Sequence, residues 1–305
     1  SFDAHLQYLN KNEFIVLPLD EIVTSLQSGK ELPKKTIAIT FDDAYINIYT
    51  TAFPMLKKLG YPFTIFVATN LVDTSGHYLT WEQLKEMSEH GALIANHTRS
   101  HTHLLRRLPN EEHNEWIQRV TDEIEGAQQQ LEDHLGKVPK YFAYPYGEYN
   151  GEILELVKNL GYIGLGQQSG AIGVGSDFLS LPRYPMAGAY TGMAPFKTKV
   201  NTIPLPVHHP DIDPLITDGD LRPTLELNFT EGKYRTSELT CYGPGGKLGI
   251  EKISNEKFMV HPVADVPVGR SRYNCTMPSY AGGRYHWFSQ PWIRKEDDGS
   301  WYPEP

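Results

Sequence analysis

Thr36-Ile37-Ala38-Ile39-Thr40-Phe41-Asp42-Asp43-Ala44-Tyr45 is the stretch that decides the fold. A β-branched apolar run ending in two adjacent carboxylates reads as a buried parallel strand whose C-terminal end delivers acids to a cleft. In α/β folds that end of the sheet is where active sites lie. A second apolar run, Gly91-Ala-Leu-Ile-Ala, ends the same way in Asn96-His97-Thr98-Arg99-Ser100-His101.

Working outward, Phe2, Leu6 and Leu9 stand at helical spacing within residues 1–11, and Phe14-Ile-Val-Leu-Pro18 reads as a short strand. A helix is expected from Asp20 to Ser28, with Asp20 as N-cap and Gly29 as its stop. Thr36–Phe41 is then a strand, Ile46–Leu59 a helix closed by Gly60, and Pro62–Ala68 a strand, so parallel pairing is required. Thr80 with Gln83 predicts a capping box. Gly91–Asn96, Tyr141–Tyr144 and Tyr162–Gly166 read as strands, and Glu111–Leu135 and Gly151–Leu160 as helices. Alternation of this kind over residues 1–199 predicts a barrel-like or open α/β domain.

The pattern changes at Asn201-Thr-Ile-Pro-Leu-Pro-Val-His-His-Pro210, a proline-rich extended stretch that reads as a linker. Beyond it lie short alternating runs, Thr224–Phe229, Phe258–His261 and Tyr285–Ser289, separated by Gly, Pro and Asn. Residues 200–305 are therefore expected to form a small all-β sandwich, which could bind carbohydrate. Its aromatics Tyr280, Tyr285, Trp287 and Trp292 are either a sugar-stacking platform or sandwich core.

A chain of 305 residues favours one large domain plus a smaller one. Its hydrophobic fraction of 40% excludes disorder, and no apolar run approaches the roughly 20 residues that span a bilayer. The formal charge of -9, with Lys and Arg scattered, excludes nucleic acid as the partner. Cys241 and Cys275 fit either one disulfide or two buried thiols. Both sit in strand-like runs of the same region, which favours the disulfide and with it an oxidising compartment. The opening Ser1-Phe-Asp-Ala-His lacks an initiator Met and a basic-then-apolar leader, so the chain reads as trimmed.

Asp43, His97 and His101 have the chemistry of a divalent-metal site. Two imidazoles and one carboxylate leave open positions, the arrangement of a hydrolytic rather than a structural metal. Asp42, adjacent and free of the metal, would take the proton of a bound water as general base. Taken singly, an Asp pair at a strand end is as readily a turn with a helix cap, and His-x-x-x-His a polar helix face. Their shared position at strand ends, with Ala143-Tyr144-Pro145-Tyr146-Gly147 after a third strand, argues for a site.

Thr40-Phe-Asp42-Asp43, then Asn96-His97-Thr98-x-x-His101, then Tyr144-Pro145-Tyr146-Gly147 resemble the NodB-homology polysaccharide deacetylases, carbohydrate esterase family four. The N-terminal pattern is similar to the poly-β-1,6-GlcNAc deacetylase subset. The resemblance implies a distorted (β/α) barrel and removal of N-acetyl groups from a GlcNAc polymer at or outside the cell envelope. It also implies a divalent metal, zinc first, with cobalt or nickel as alternatives. Asp42 would be the base; Asp43, His97 and His101 would hold the metal; the Tyr146 N–H would steady the oxyanion; Tyr144, Pro145 and Trp81 would line the substrate side. Trp81, at a helix start, is also a candidate for the core.

Two positions depart from the family. The Arg that commonly holds the base carboxylate is replaced by Ala143, and Arg183 in Leu181-Pro-Arg183-Tyr-Pro is the candidate substitute. The late Leu-x-His motif of the general acid is missing. Its role would fall to a residue upstream of Ser1, or to His208 or His209. The remaining histidines, His103 among them, read as solvated or packing residues. A hydrolase of other C–N bonds on the same barrel, or a carbohydrate-binding protein without catalysis, are the competing readings.

Overall fold

A computed structural model describes residues 2–217 and 219–303; Ser1 and Pro305, the predicted outer domain bounds, lie outside the described residues. Helix α1 (Phe2–Lys11) buries Leu6 and Leu9, as their spacing requires. Strand β1 (Ile15–Val16) leads to α2 (Leu19–Gln27), which Pro18 precedes. No side chain caps α2. Asp20, expected at the cap, lies inside the first turn, where an acid meets the positive end of the helix.

The run that opened the sequence is two strands, not one. Strand β2 (Thr36–Ile37) pairs in parallel with β1, while β3 (Thr40–Asp42) joins the main sheet. Ala38 and Ile39 separate them, and their side chains pack into different apolar clusters, so the chain steps from one sheet to the other. The expected helix 46–59 is likewise divided. A wide π-type turn, Ile48–Ala52, precedes α3 (Phe53–Leu59), which Gly60 closes at φ 66°.

Five parallel strands build the sheet that carries the site: β3, β4 (Phe63–Val67), β5 (Ala92–Asn96), β6 (Tyr141–Ala143) and β7 (Ile163–Leu165), in that order. Register runs Asp42 to Phe66, Val67 to Asn96 and Asn96 to Phe142, so the three motif-bearing strands end level with one another at one edge of the sheet, β4 lying between β3 and β5. The sheet curls into a half-barrel. Every residue of β4 is buried, as a strand covered on both faces must be. Helices α4 (Trp81–Glu89), α5 (His113–Leu135) and α6 (Gly151–Asn159) form the crossovers. Thr80 and Gln83 cap α4 reciprocally, as predicted.

Beyond β7 the chain turns back, and Leu181 bridges Leu165 in parallel. Gly164 donates to Phe178 O at 2.8 Å and accepts from the Leu181 N–H at 2.9 Å. A Cβ at residue 164 would stand 2.0 Å from Leu179 O, so glycine alone permits this approach. Helix α7 (Met193–Val200) follows. Its interior Pro195 and lysines hid it from the sequence reading, yet Phe196 stacks on His5 of α1 at 4.0 Å.

The remaining strands are β8 (Thr202–Pro204), β9 (Val207–His208), β10 (Leu225–Phe229), β11 (Thr240–Gly243), β12 (Gly246–Lys247), β13 (Gly249–Lys252), β14 (Lys257–His261), β15 (Gly269–Pro278) and β16 (Tyr285–Arg294). One sheet has the order β13-β14-β10-β9, the other β12-β11-β15-β16-β8. Leu225, Leu227 and Val260 of the first meet Cys241, Tyr273 and Trp292 of the second in one buried cluster. This is the expected sandwich. The stretch read as a linker supplies an edge strand to each sheet, β8 and β9, rather than a free connection. Trp292 is core, whereas Tyr280 and Tyr285 are exposed. A further cluster joins Leu104, Trp116 and Tyr144 to Ile293 and Tyr302, so the α/β elements and the sandwich share buried surface. Among the described residues no helix is long and apolar enough to cross a membrane.

Cys241 and Cys275 face each other across β11 and β15 and are disulfide-bonded, 34 residues apart in sequence. Replacing both by Ala should lower stability by about 3–4 kcal/mol, from the chain entropy that a loop of this size releases on unfolding. A denaturant titration of the double variant beside the oxidised protein measures it.

Candidate active site

Backbone strain gathers at the ends of the parallel strands. Asp43 (φ 71°), Ala44 (φ 59°), Thr98 (φ 69°), His101 (φ 54°) and Tyr146 (φ 60°) are all left-handed without being glycine. Such residues cost on the order of 1–2 kcal/mol each and persist where neighbours over-determine them. Those neighbours are visible around Thr98 and His101. Asn96, fully buried, donates to Ile124 O at 2.8 Å and accepts from the Thr98 N–H at 2.9 Å. The Thr98 hydroxyl accepts from the His101 N–H, and Glu123 on α5 accepts from both the N–H and the hydroxyl of Ser100.

These turns bring Asp43, His97 and His101 together, with their ligand atoms within 4.8 Å of one another. Asp43 Oδ1 stands 3.2 Å from Nε2 of each histidine. His97 Nδ1 lies 2.7 Å from Ala143 O. A carbonyl can only accept, so Nδ1 carries the proton and Nε2 a lone pair. That lone pair faces a carboxylate oxygen, and both atoms are buried without a hydrogen bond. Two acceptors aimed at each other need a cation between them, and a backbone-anchored imidazole is the usual support for a metal ligand. The donor set of two nitrogens and one oxygen fits a zinc-like divalent ion.

Asp42 faces a different partner. Arg183 donates from Nη1 to Oδ1 at 2.7 Å and from Nη2 to Oδ2 at 2.9 Å, a bidentate pair. The guanidinium is itself held by Gly166 O, Thr40 Oγ1 and the face of Phe66 at 5.3 Å. Burial works to raise the Asp42 pKa, but the charge and hydrogen bonds of Arg183 bring it below the ordinary value. Asp42 is an ionised carboxylate in a fixed orientation.

The third loop places Tyr146 between histidines. His103 stacks flat on its ring at 3.8 Å, and His101 meets it edge-on at 4.6 Å. His103 is no solvated residue: its Nδ1 pairs with Oε2 of the fully buried Glu148 at 2.8 Å. Glu148 and His103 escaped the sequence reading, although a carboxylate following Tyr-Gly at a strand-end loop was a signal that could have been followed. Tyr45 lies stacked on Tyr78 at 5.4 Å, and 46% of its surface is exposed.

Other expected residues lie elsewhere. Tyr144 is fully buried, bonded through its hydroxyl to Leu179 O, and Pro145 is buried beside it, so both support the loop from below instead of facing substrate. Trp81 lies flat on His134 at 4.0 Å and packs against core, the second of its expected roles. His208 is on β9 of the sandwich, and His209 rests against Phe288.

Residues 29–165 match the polysaccharide deacetylase family. The chain is 31% identical over 194 residues to YxkH of Bacillus subtilis, covering 63% of this chain and 66% of that protein. It is 30% identical over 191 residues to the poly-beta-1,6-N-acetyl-D-glucosamine N-deacetylase of Staphylococcus epidermidis, covering 60% and 65%. It thus spans just under two thirds of the length of these curated relatives. Among solved structures it is similar to the Streptococcus pyogenes deacetylase PplD in complex with acetate. That match has a TM-score of 0.55 and 30% identity, over 60% of this chain and 78% of that one.

Zinc should raise the unfolding free energy by about 2.7 kcal/mol at a free concentration about a hundred times Kd. His101→Ala should lose most of that gain. Thermal melts across a zinc titration, with and without chelator, provide the check.

Proposed function

The chain belongs to the polysaccharide deacetylase family, and we propose that it removes N-acetyl groups from a GlcNAc-containing polysaccharide outside the cytoplasm. The observation that carries this reading is the division of labour between adjacent carboxylates: Asp43 faces two imidazoles, while Asp42 is locked by Arg183.

Asp43, His97 and His101 would hold a divalent ion, zinc above cobalt or nickel. Bound there, the ion supplies a water of lowered pKa and polarises the acetamide carbonyl. Asp42 accepts the proton of the attacking water, and Arg183 keeps that carboxylate ionised and correctly turned. The Tyr146 backbone N–H donates to the oxygen on which charge develops. Tyr45, stacked on Tyr78 and two residues from Asp43, offers an aromatic face to a pyranose ring.

The substrate class is supported by the staphylococcal relative, whose name specifies poly-β-1,6-N-acetylglucosamine, and the compartment by the disulfide, which suits an oxidising one. In this reading residues 1–199 form the catalytic barrel domain and 200–305 the β-sandwich domain.

Asp42→Asn should reduce acetate release from N-acetylglucosamine oligomers by about 10²- to 10⁴-fold, the range for loss of a general base. Its zinc-induced rise in melting temperature should persist. Near-native release by this variant would remove Asp42 from the base role. Faster turnover of small amides than of oligosaccharides would move the substrate to the other C–N class.

A further inference from the structure

We infer that Arg270 and Tyr302, contributed by the sandwich half of the chain, are positioning residues for the Tyr146 loop. This rests on the proposed role of the Tyr146 N–H. The link runs through Glu148. Its side chain is completely buried, and an ionised carboxylate in that position must be matched by charge and hydrogen bonds. Oε2 meets His103 Nδ1, and Oε1 accepts from Arg270 Nη1 at 3.1 Å and from the Tyr302 hydroxyl. Arg270 belongs to β15, and Tyr302 follows β16.

His103 and Arg270 also bear directly on Tyr146, and Tyr302 acts through them and Glu148. His103, fixed by Glu148, covers its ring at 3.8 Å with only 7° between planes. The Arg270 guanidinium lies 5.5 Å from the same ring centroid and 6.0 Å from that of Tyr302. Tyr146 needs such support because its backbone (φ 60°, ψ 2°) is left-handed, an unfavourable state for a residue with a Cβ. Loss of the clamp releases the loop to right-handed conformations, which re-aim the Tyr146 N–H. A donor that must be preorganised then costs energy at the moment charge develops. The sandwich therefore completes the oxyanion loop of the α/β half. The metal cluster meets this loop through the edge of His101 on Tyr146, but its own hydrogen bonds run to Ala143 and through Asn96 and Thr98, outside the clamp.

The test compares the full chain with Arg270→Ala, Arg270→Lys and Tyr302→Phe, the last removing a single hydroxyl. Three quantities are read: amide hydrogen exchange in peptides covering residues 144–148, the zinc-induced shift in melting temperature, and kcat and KM for acetate release from N-acetylglucosamine oligomers. Arg270→Ala and Tyr302→Phe should speed exchange of the loop amides about tenfold. They should lower kcat by about 10- to 100-fold, with KM within about twofold and the zinc shift unchanged. Lys at 270 should recover part of kcat, since it keeps the charge but not the fork. Unchanged loop exchange in both removing variants would overturn the inference, as would a fall in kcat matched by loss of the zinc shift or by faster exchange throughout the sandwich. If the unmodified protein releases no acetate, the proposed function fails, and loop exchange still decides whether the clamp exists.

Discussion

An ionised carboxylate leaves water at a cost of several kcal/mol unless a counter-charge meets it, and this chain places two beneath one cleft. Asp42 takes both terminal nitrogens of Arg183. To bring Arg183 there, residues 178–183 return along β7, and that return is possible because Gly164 has no Cβ. Glu148 takes His103 from the neighbouring loop and Arg270 and Tyr302 from the sandwich half. Much of the architecture around the parallel sheet therefore follows from the pairing of these two charges.

The same cleft concentrates unfavourable backbone geometry. Five of the nine left-handed non-glycine residues among those described belong to its three loops. Left alone, each would relax by a peptide flip. Here Asn96, Glu123 and the Thr98 hydroxyl hold the second loop, and the ring stack on His103 holds the third. Strain held in this way keeps ligand atoms and N–H groups where the proposed deacetylation would need them, so that little reorganisation would be left for it.

How much was legible differs from residue to residue. Asp42, Asp43, His97 and His101 could be read directly, because an apolar β-branched run predicts a strand and the residue after it predicts the strand's end. Thr80 and Gln83 were legible for the same reason: a capping box spans three residues. Arg183 was legible only as a candidate to fill the place of an arginine absent at Ala143. The break at Ala38–Ile39, the π-type turn and α7 were not legible, since each is imposed by what the segment packs against and not by its own propensity.

The sequence alone determined the α/β alternation of the first half, though not the break at Ala38–Ile39 or α7, the acids and imidazoles at the strand ends, and the change to β structure near residue 200. These are local properties, set by periodicity and by neighbours a few positions away. Only the tertiary structure decided which charge neutralises which. Arg183 is 141 residues from Asp42, Arg270 is 122 from Glu148, and Tyr302 is 154 from it. No periodicity spans such separations. Arg183 reaches Asp42 because residues 178–183 return along β7, and Arg270 and Tyr302 reach Glu148 because the α/β elements and the sandwich share a buried core, where a carboxylate without partners would be costly.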